Sequence, residues 1–216
     1  MRISFDMDGV LADMDDALAR LATEEFEKPS GELPDAMLTQ LSPRQQSRLW
    51  KRVQDTRNFW ETLKECEPGI VRRLQHLAHH RRWDVLFVTQ RPSTAGRTTQ
   101  LQTQHWLRRH GYEYPAVYTT EGSRGRIAAA LTLDVHIDDR LEHCVDVVSD
   151  SKTWPILVWR DEESFDRISE GAVKLGIATV PTVGDALDRV EEAERGLTDH
   201  HGQATLLGRL KKAFGR

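Results

Sequence analysis

Cysteine is scarce in this chain: Cys66 and Cys144 are the only two among 216 residues. They stand far apart, so no thiol spacing suits a structural zinc site, and a disulfide scaffold is excluded at this length. Both are expected to be reduced thiols. Long apolar runs are missing too. None approaches the roughly 20 residues of a membrane helix, and Asp6 and Asp8 fall where the apolar centre of a secretory signal would lie. The expectation is a soluble, cytoplasmic protein with no membrane partner. Positive charge is not in excess either: 30 Lys and Arg face 34 Asp and Glu, a net charge of -4. That balance argues against a nucleic-acid partner and requires any anionic substrate to be met by local charge. No internal repeat or long low-complexity segment is found. His76, His79 and His80 lack the second ligand group that a zinc site needs and read as a polar helix end.

What is present is a chain of 38% hydrophobic and 30% charged residues, long enough for one core domain with an insertion, or for two small domains. Residues 2–5 form a short apolar start that runs abruptly into carboxylates and a glycine, as a strand ending in a functional loop does. Residues 14–27 carry Ala17, Leu18, Leu21 and Phe26 at helical spacing, and Pro29-Ser30-Gly31 breaks them. Ser42-Pro43 is a helix-start signal. Residues 32–67 are polar and helix-compatible, with no strand-like apolar run. Beyond Pro68-Gly69 the chain alternates. Helices are expected at 70–80, 97–110 (Leu101 and Leu107 inward), 124–131, 141–148 and 183–194. Strands are expected at 83–88, 116–118, 135–137 and 156–159. Such alternation predicts an α/β fold, a parallel sheet with helices on both faces, whose ligands bind beyond the carboxyl ends of the strands.

Three polar clusters share that position: Asp6 and Asp8 after residues 3–5, Thr89 after 85–88, and Asp138 and Asp139 after 135–137. Parallel neighbouring strands would bring them together. Gathering four carboxylates and a hydroxyl is costly unless a cation offsets the charge. Mg²⁺ suits such a partial carboxylate shell, completed by a substrate phosphate. Residues i and i+2 of an extended chain project to the same side. Asp6 and Asp8 can therefore address one substrate, Asp6 as nucleophile toward phosphorus and Asp8 as acid and then base. Gly9 allows a sharp bend after the pair.

The run Asp6-Met7-Asp8-Gly9-Val10-Leu11-Ala12-Asp13 resembles the first motif of the haloacid dehalogenase-like phosphatases. Phe87-Val88-Thr89 resembles the second and Ile137-Asp138-Asp139-Arg140 the fourth, in the family's order. Within that superfamily the wording of the first motif, a helical insertion after it, and Phe59-Trp60 with Glu67-Pro68-Gly69 before the next strand resemble the 5'(3')-deoxyribonucleotidase-like group.

The resemblance implies a Rossmann-like core over residues 1–14 and 68–216, with a helical cap over 15–67. It implies magnesium bound by Asp6, the backbone carbonyl of Asp8, and Asp138, with Asp139 either touching the metal or supporting it. Counting back from Asp138, Arg124 stands where the family has a lysine, with Arg126 as the alternative register; arginine keeps the charge in a bulkier, forked head. Thr89, Gln90 and Arg124 are then the phosphate-binding set. Phe59, Trp60 and Arg91 are candidate substrate contacts, set against cap packing for the aromatics and an exposed turn for Arg91. His136 and His143 are read as structural. The implied activity is hydrolysis of a small phosphorylated metabolite, first a nucleoside monophosphate, by a monomer or homodimer. The alternatives are sugar phosphates, nucleic-acid 3' ends, or a binding relative without turnover.

Overall fold

The computed structural model describes residues 1–26 and 41–198. The break at Pro29-Ser30-Gly31 and a basic, amphipathic stretch at residues 206–216 lie outside the described residues.

The chain opens with β1 (Arg2–Phe5), then a two-residue strand β2 (Ala12–Asp13) and helix α1 (Met14–Phe26). Helix α2 (Pro43–Asp55) follows. Ser42 caps it reciprocally with Gln45, and Pro43 sits in its first turn, where its missing N–H costs nothing. Arg48 of α2 pairs with Glu25 at 2.5 Å and lies over the Phe26 ring, which ties α2 to α1. A short 3₁₀ turn (Phe59–Glu61) leads to β3 (Lys64–Glu65), which pairs antiparallel with β2. The expectation of no strand in this region is corrected here, because two-residue pairings leave no apolar alternation to detect.

Alternating units then follow: α3 (Ile70–Arg81), β4 (Asp84–Thr89), α4 (Thr99–Arg109), β5 (Ala116–Thr119), α5 (Arg124–Ala130), β6 (Val135–Asp138), α6 (Leu141–Asp150), β7 (Trp154–Val158), α7 (Phe165–Lys174), β8 (Ala178–Val180) and α8 (Val183–Thr198). Six strands form one parallel sheet in the order β5-β4-β1-β6-β7-β8. Ile3, Phe5, Phe87, Ile137 and Ile156 are fully buried in it. Burial on both faces explains why these strands read as continuous apolar runs.

Two expectations change. Leu101 is 45% exposed, and the buried face of α4 carries Gln102, Thr103, Trp106 and Leu107 instead. Gln102 and Thr103 are tolerated inside because each has hydrogen-bond partners, Gln102 on Arg97 O and Thr103 on Thr99 O. The strand expected at 156–159 starts earlier and ends at Val158.

The order reverses around β1, which lies between β4 and β6. Phe5 is level with both Phe87 and Ile137. The residues leaving these three strands therefore emerge side by side, and Asp6 N donates to Ile137 O at 2.9 Å.

Candidate active site

The turn after β1 is wound tightly. Leu11 N and Ala12 N both donate to Met7 O, and Gly9 N donates to Ala12 O. Gly9 has φ of 74°, open to glycine and strained for other residues. Its missing side chain also leaves room for the Asp139 carboxylate, which occupies the space that a β-carbon on Gly9 would fill.

Asp6, Asp138 and Asp139 bring carboxylate oxygens within 4.8 Å of one another. Burial raises the Asp6 pKa well above the ordinary value, and the Asp138 charge adds to that, with Arg124 opposing it. Arg124 Nη2 donates to Asp6 Oδ1 at 2.9 Å. Burial also pushes Asp139 up to about 7, aided by Asp138. Asp138 behaves oppositely. Burial works against its ionisation, but hydrogen bonds from His136 and His143 outweigh that and hold it well below the carboxylate range. His136 Nε2 and His143 Nδ1 lie 3.0 and 2.9 Å from Asp138 Oδ2, and Arg140 N donates to Oδ1 at 2.9 Å. Ser4 Oγ is 2.7 Å from His136 Nδ1. The tautomer that satisfies both contacts donates from Nε2 and accepts the Ser4 hydroxyl at Nδ1.

These residues fit a hard divalent cation. Three carboxylates lie within reach of one ion, and Asp139 Oδ1 is buried without a hydrogen-bond partner among the described residues. Two of the three are reluctant to ionise unless positive charge arrives.

The same cavity, of about 680 Å³, is also lined by groups of the opposite kind. Thr89 Oγ1 and Arg124 Nε and Nη1 are buried and have no hydrogen-bond partner among the described residues. Unpaired buried donors cost free energy, and a tetrahedral oxyanion would satisfy them. Arg124 holds this place; Arg126 is exposed and faces Asp150 at 3.9 Å. Gln90 lines the cavity beside Thr89.

Asp8 and Arg91 form a close pair. The Arg91 side chain is fully buried, so it is not an exposed turn residue. Its Nε donates to both Asp8 oxygens and its Nη2 to Oδ1. Phe59 and Trp60 are 2% and 0% exposed and meet edge to face. Trp60 reaches the cavity wall; Phe59 does not line it.

Three features escaped the sequence. Trp50 and Gln54, one turn apart on α2, also line the cavity, and their i,i+4 spacing was the available signal. His136 shares a strand face with Asp138, as the two-residue period dictates. His143 arrives from the first turn of α6, where nothing local marks its target.

Residues 1–153 match the family of 5' nucleotidase, deoxy (Pyrimidine), cytosolic type C proteins (NT5C). The chain belongs to that family, a group of phosphatases of the haloacid dehalogenase-like superfamily. Solved structures agree on the fold. A haloacid dehalogenase-family hydrolase from Deinococcus radiodurans R1, with bound phosphate and sodium, superposes with a TM-score of 0.55 at 18% identity, over 91% of this chain and 96% of its own. A putative beta-phosphoglucomutase from Thermotoga maritima gives 0.56 at 20% identity, over 88% and 98%. No curated protein sequence matches the chain. Among the described residues no helix is long and apolar enough to cross a membrane.

Proposed function

We propose that this chain is a magnesium-dependent phosphomonoester hydrolase that works through an aspartyl-phosphate on Asp6, with a nucleoside monophosphate as substrate. One observation carries the reading: unpartnered buried donors on Thr89 and Arg124 share a cavity with the Asp6, Asp138 and Asp139 carboxylates. The donors suit phosphate and the carboxylates its counter-cation.

Asp6, Asp138 and Asp139, with the backbone carbonyl of Asp8, would hold Mg²⁺, which supplies charge neutralisation to the phosphoryl oxygens. Thr89 and Arg124, with Gln90 beside them, bind those oxygens and orient phosphorus toward Asp6. An Asp6 oxygen attacks phosphorus as the bond to the leaving oxygen breaks, and Asp8 gives that oxygen a proton. Asp8 then takes a proton from a water that attacks the aspartyl-phosphate, which returns Asp6 as a carboxylate and releases phosphate.

The mouth of the cavity supports the substrate class. Trp50 is 37% exposed there, a flat face on which a nucleobase can stack, and Gln54 offers an amide to a base edge. Residues 15–67, which carry both, serve as the cap. The family's description, a deoxy and pyrimidine 5' nucleotidase, agrees. Both cysteines are free thiols, in keeping with a cytoplasmic setting.

The test is phosphate release from a panel of deoxynucleoside and nucleoside monophosphates, sugar phosphates and 3'-phosphorylated oligonucleotides, with Mg²⁺ and after chelation. Nucleoside monophosphates are expected to turn over fastest, and Asp6→Asn to abolish release. Equal turnover by Asp6→Asn, or none of the panel hydrolysed by the native chain, refutes the mechanism. Preference for sugar phosphates or 3' ends refutes the substrate class alone.

A further inference from the structure

Arg91 is held by hydrogen bonds at all three of its side-chain nitrogens. Its side chain has no solvent exposure, while that of Asp8 keeps 13%. Nε lies 3.0 and 2.8 Å from the two Asp8 oxygens, and Nη2 lies 2.6 Å from Oδ1. Nη1 donates to Thr103 Oγ1 at 2.9 Å, whose own hydroxyl is fixed by Thr99 O at 2.9 Å. One face of the guanidinium lies 4.8 Å from the Trp60 ring centroid. Trp60 is anchored in turn, its Nε1 to Pro92 O and its N to Gln102 Oε1.

We propose that Arg91 is the positioning residue for Asp8, setting the plane of its carboxylate for proton transfer to the leaving oxygen. The inference rests on the reading of Asp8 as acid and base. A single contact would leave the carboxylate free to turn about its terminal torsion, which is broad. A planar fork on both oxygens removes that freedom. Alignment of this kind is what a proton donor needs, since transfer depends on reach and direction.

The two buried arginines divide the work. Arg124 holds Asp6, and its Nε, 3.9 Å from Asp138 Oδ2, and its Nη1 have no hydrogen-bond partner among the described residues. Arg91 has all three nitrogens engaged with Asp8 and Thr103, so it serves the carboxylate and not the substrate. A purely structural ion pair gains little from standing where one partner borders a polar cavity, because burying charges is costly and an apolar pair could fill the same space.

The test uses leaving-group dependence in the first turnover at saturating substrate. A nucleoside monophosphate departs as an alkoxide and needs a proton; p-nitrophenyl phosphate departs as a stable phenolate and does not. Arg91→Lys and Arg91→Met are expected to slow nucleoside release by about 10- to 100-fold. Nitrophenolate release should slow less than about threefold, and KM should change little. Asp8→Asn is the reference for selective loss. Equal slowing of both substrates by the Arg91 variants, or a loss confined to KM, overturns the inference while leaving Asp8 its role. Undiminished nucleoside release by Asp8→Asn removes the reading of Asp8 and the inference with it. If Arg91→Met fails to fold, Arg91→Lys, which keeps the charge and loses the fork, decides the matter alone.

Discussion

A β-carbon placed on Gly9 would lie 2.0 Å from Asp139 Oδ2 and 2.6 Å from its Cγ. The turn that follows the proposed nucleophile therefore packs directly against the carboxylate that follows β6. Gly9→Ala must displace Asp139 and also adopt a positive φ, a combined cost of about 1–3 kcal/mol. Thermal melting is expected to fall by several degrees, and the Mg²⁺ concentration for half-maximal activity to rise. Unchanged magnesium dependence would separate Asp139 from the metal.

Arg124 can be tested by charge and by shape. Arg124→Ala removes both the partner of Asp6 and the unpaired donors, and should lower kcat about 10²- to 10³-fold. Arg124→Lys restores one charge with different geometry and should recover most of that loss. Steady-state kinetics on the best nucleotide distinguishes the two. Full activity in the alanine variant would exclude phosphate contact by Arg124.

Metal binding should depend on pH with a definite sign. The Asp139 pKa is raised from the usual carboxylate value to about 7. Between about pH 4 and pH 7 the folded metal-free protein keeps a proton that the unfolded chain has lost, so this group's contribution to stability declines as pH rises through that window. Asp138 has the opposite sign: its stabilisation holds above its ordinary pKa and is lost in acid as its lowered folded value is reached. Mg²⁺ held as proposed would displace the Asp139 proton, so its affinity should weaken up to about tenfold per pH unit below 7. Calorimetric melts with and without Mg²⁺ should show a larger metal-induced shift near pH 8 than near pH 6. The reverse order would exclude Asp139 from the metal site.

His143→Ala removes one of two imidazole contacts on Asp138. Orientation of a metal-binding carboxylate by such neighbours is typically worth about 10- to 100-fold in affinity. Magnesium titration of activity should show that loss, with KM for nucleotide little changed once metal is saturating.

Much of the site was legible because its chemistry is written at strand ends. Apolar runs that stop at Asp6, Thr89 and Asp138 are visible in one dimension, and parallel pairing does the rest. Long-range partnership was not legible. Nothing near Arg91 marks Asp8 as its partner across 83 positions, and the histidines on Asp138 look like ordinary core and helix-end residues. Leu101 is apolar yet exposed, because the buried face of α4 is taken by Gln102 and Thr103 with partners of their own. The strand β8 escaped because its three residues leave too short an apolar signal. Trp50 carries no mark of its own in the sequence, since its exposure at the cavity arises only from the packing of α2.

Arg160 stands beyond the stretch matched by the family, yet its guanidinium grips the Gly9 and Val10 carbonyls and Glu67. Glu67 in turn caps the start of α8 through Val183 N and Gly184 N. The closing third of the fold thus reaches back into the turn behind Asp8. A chimaera that exchanges this segment between relatives should work only when residues 67 and 160 travel as a set, which makes them the natural seam for recombining these enzymes.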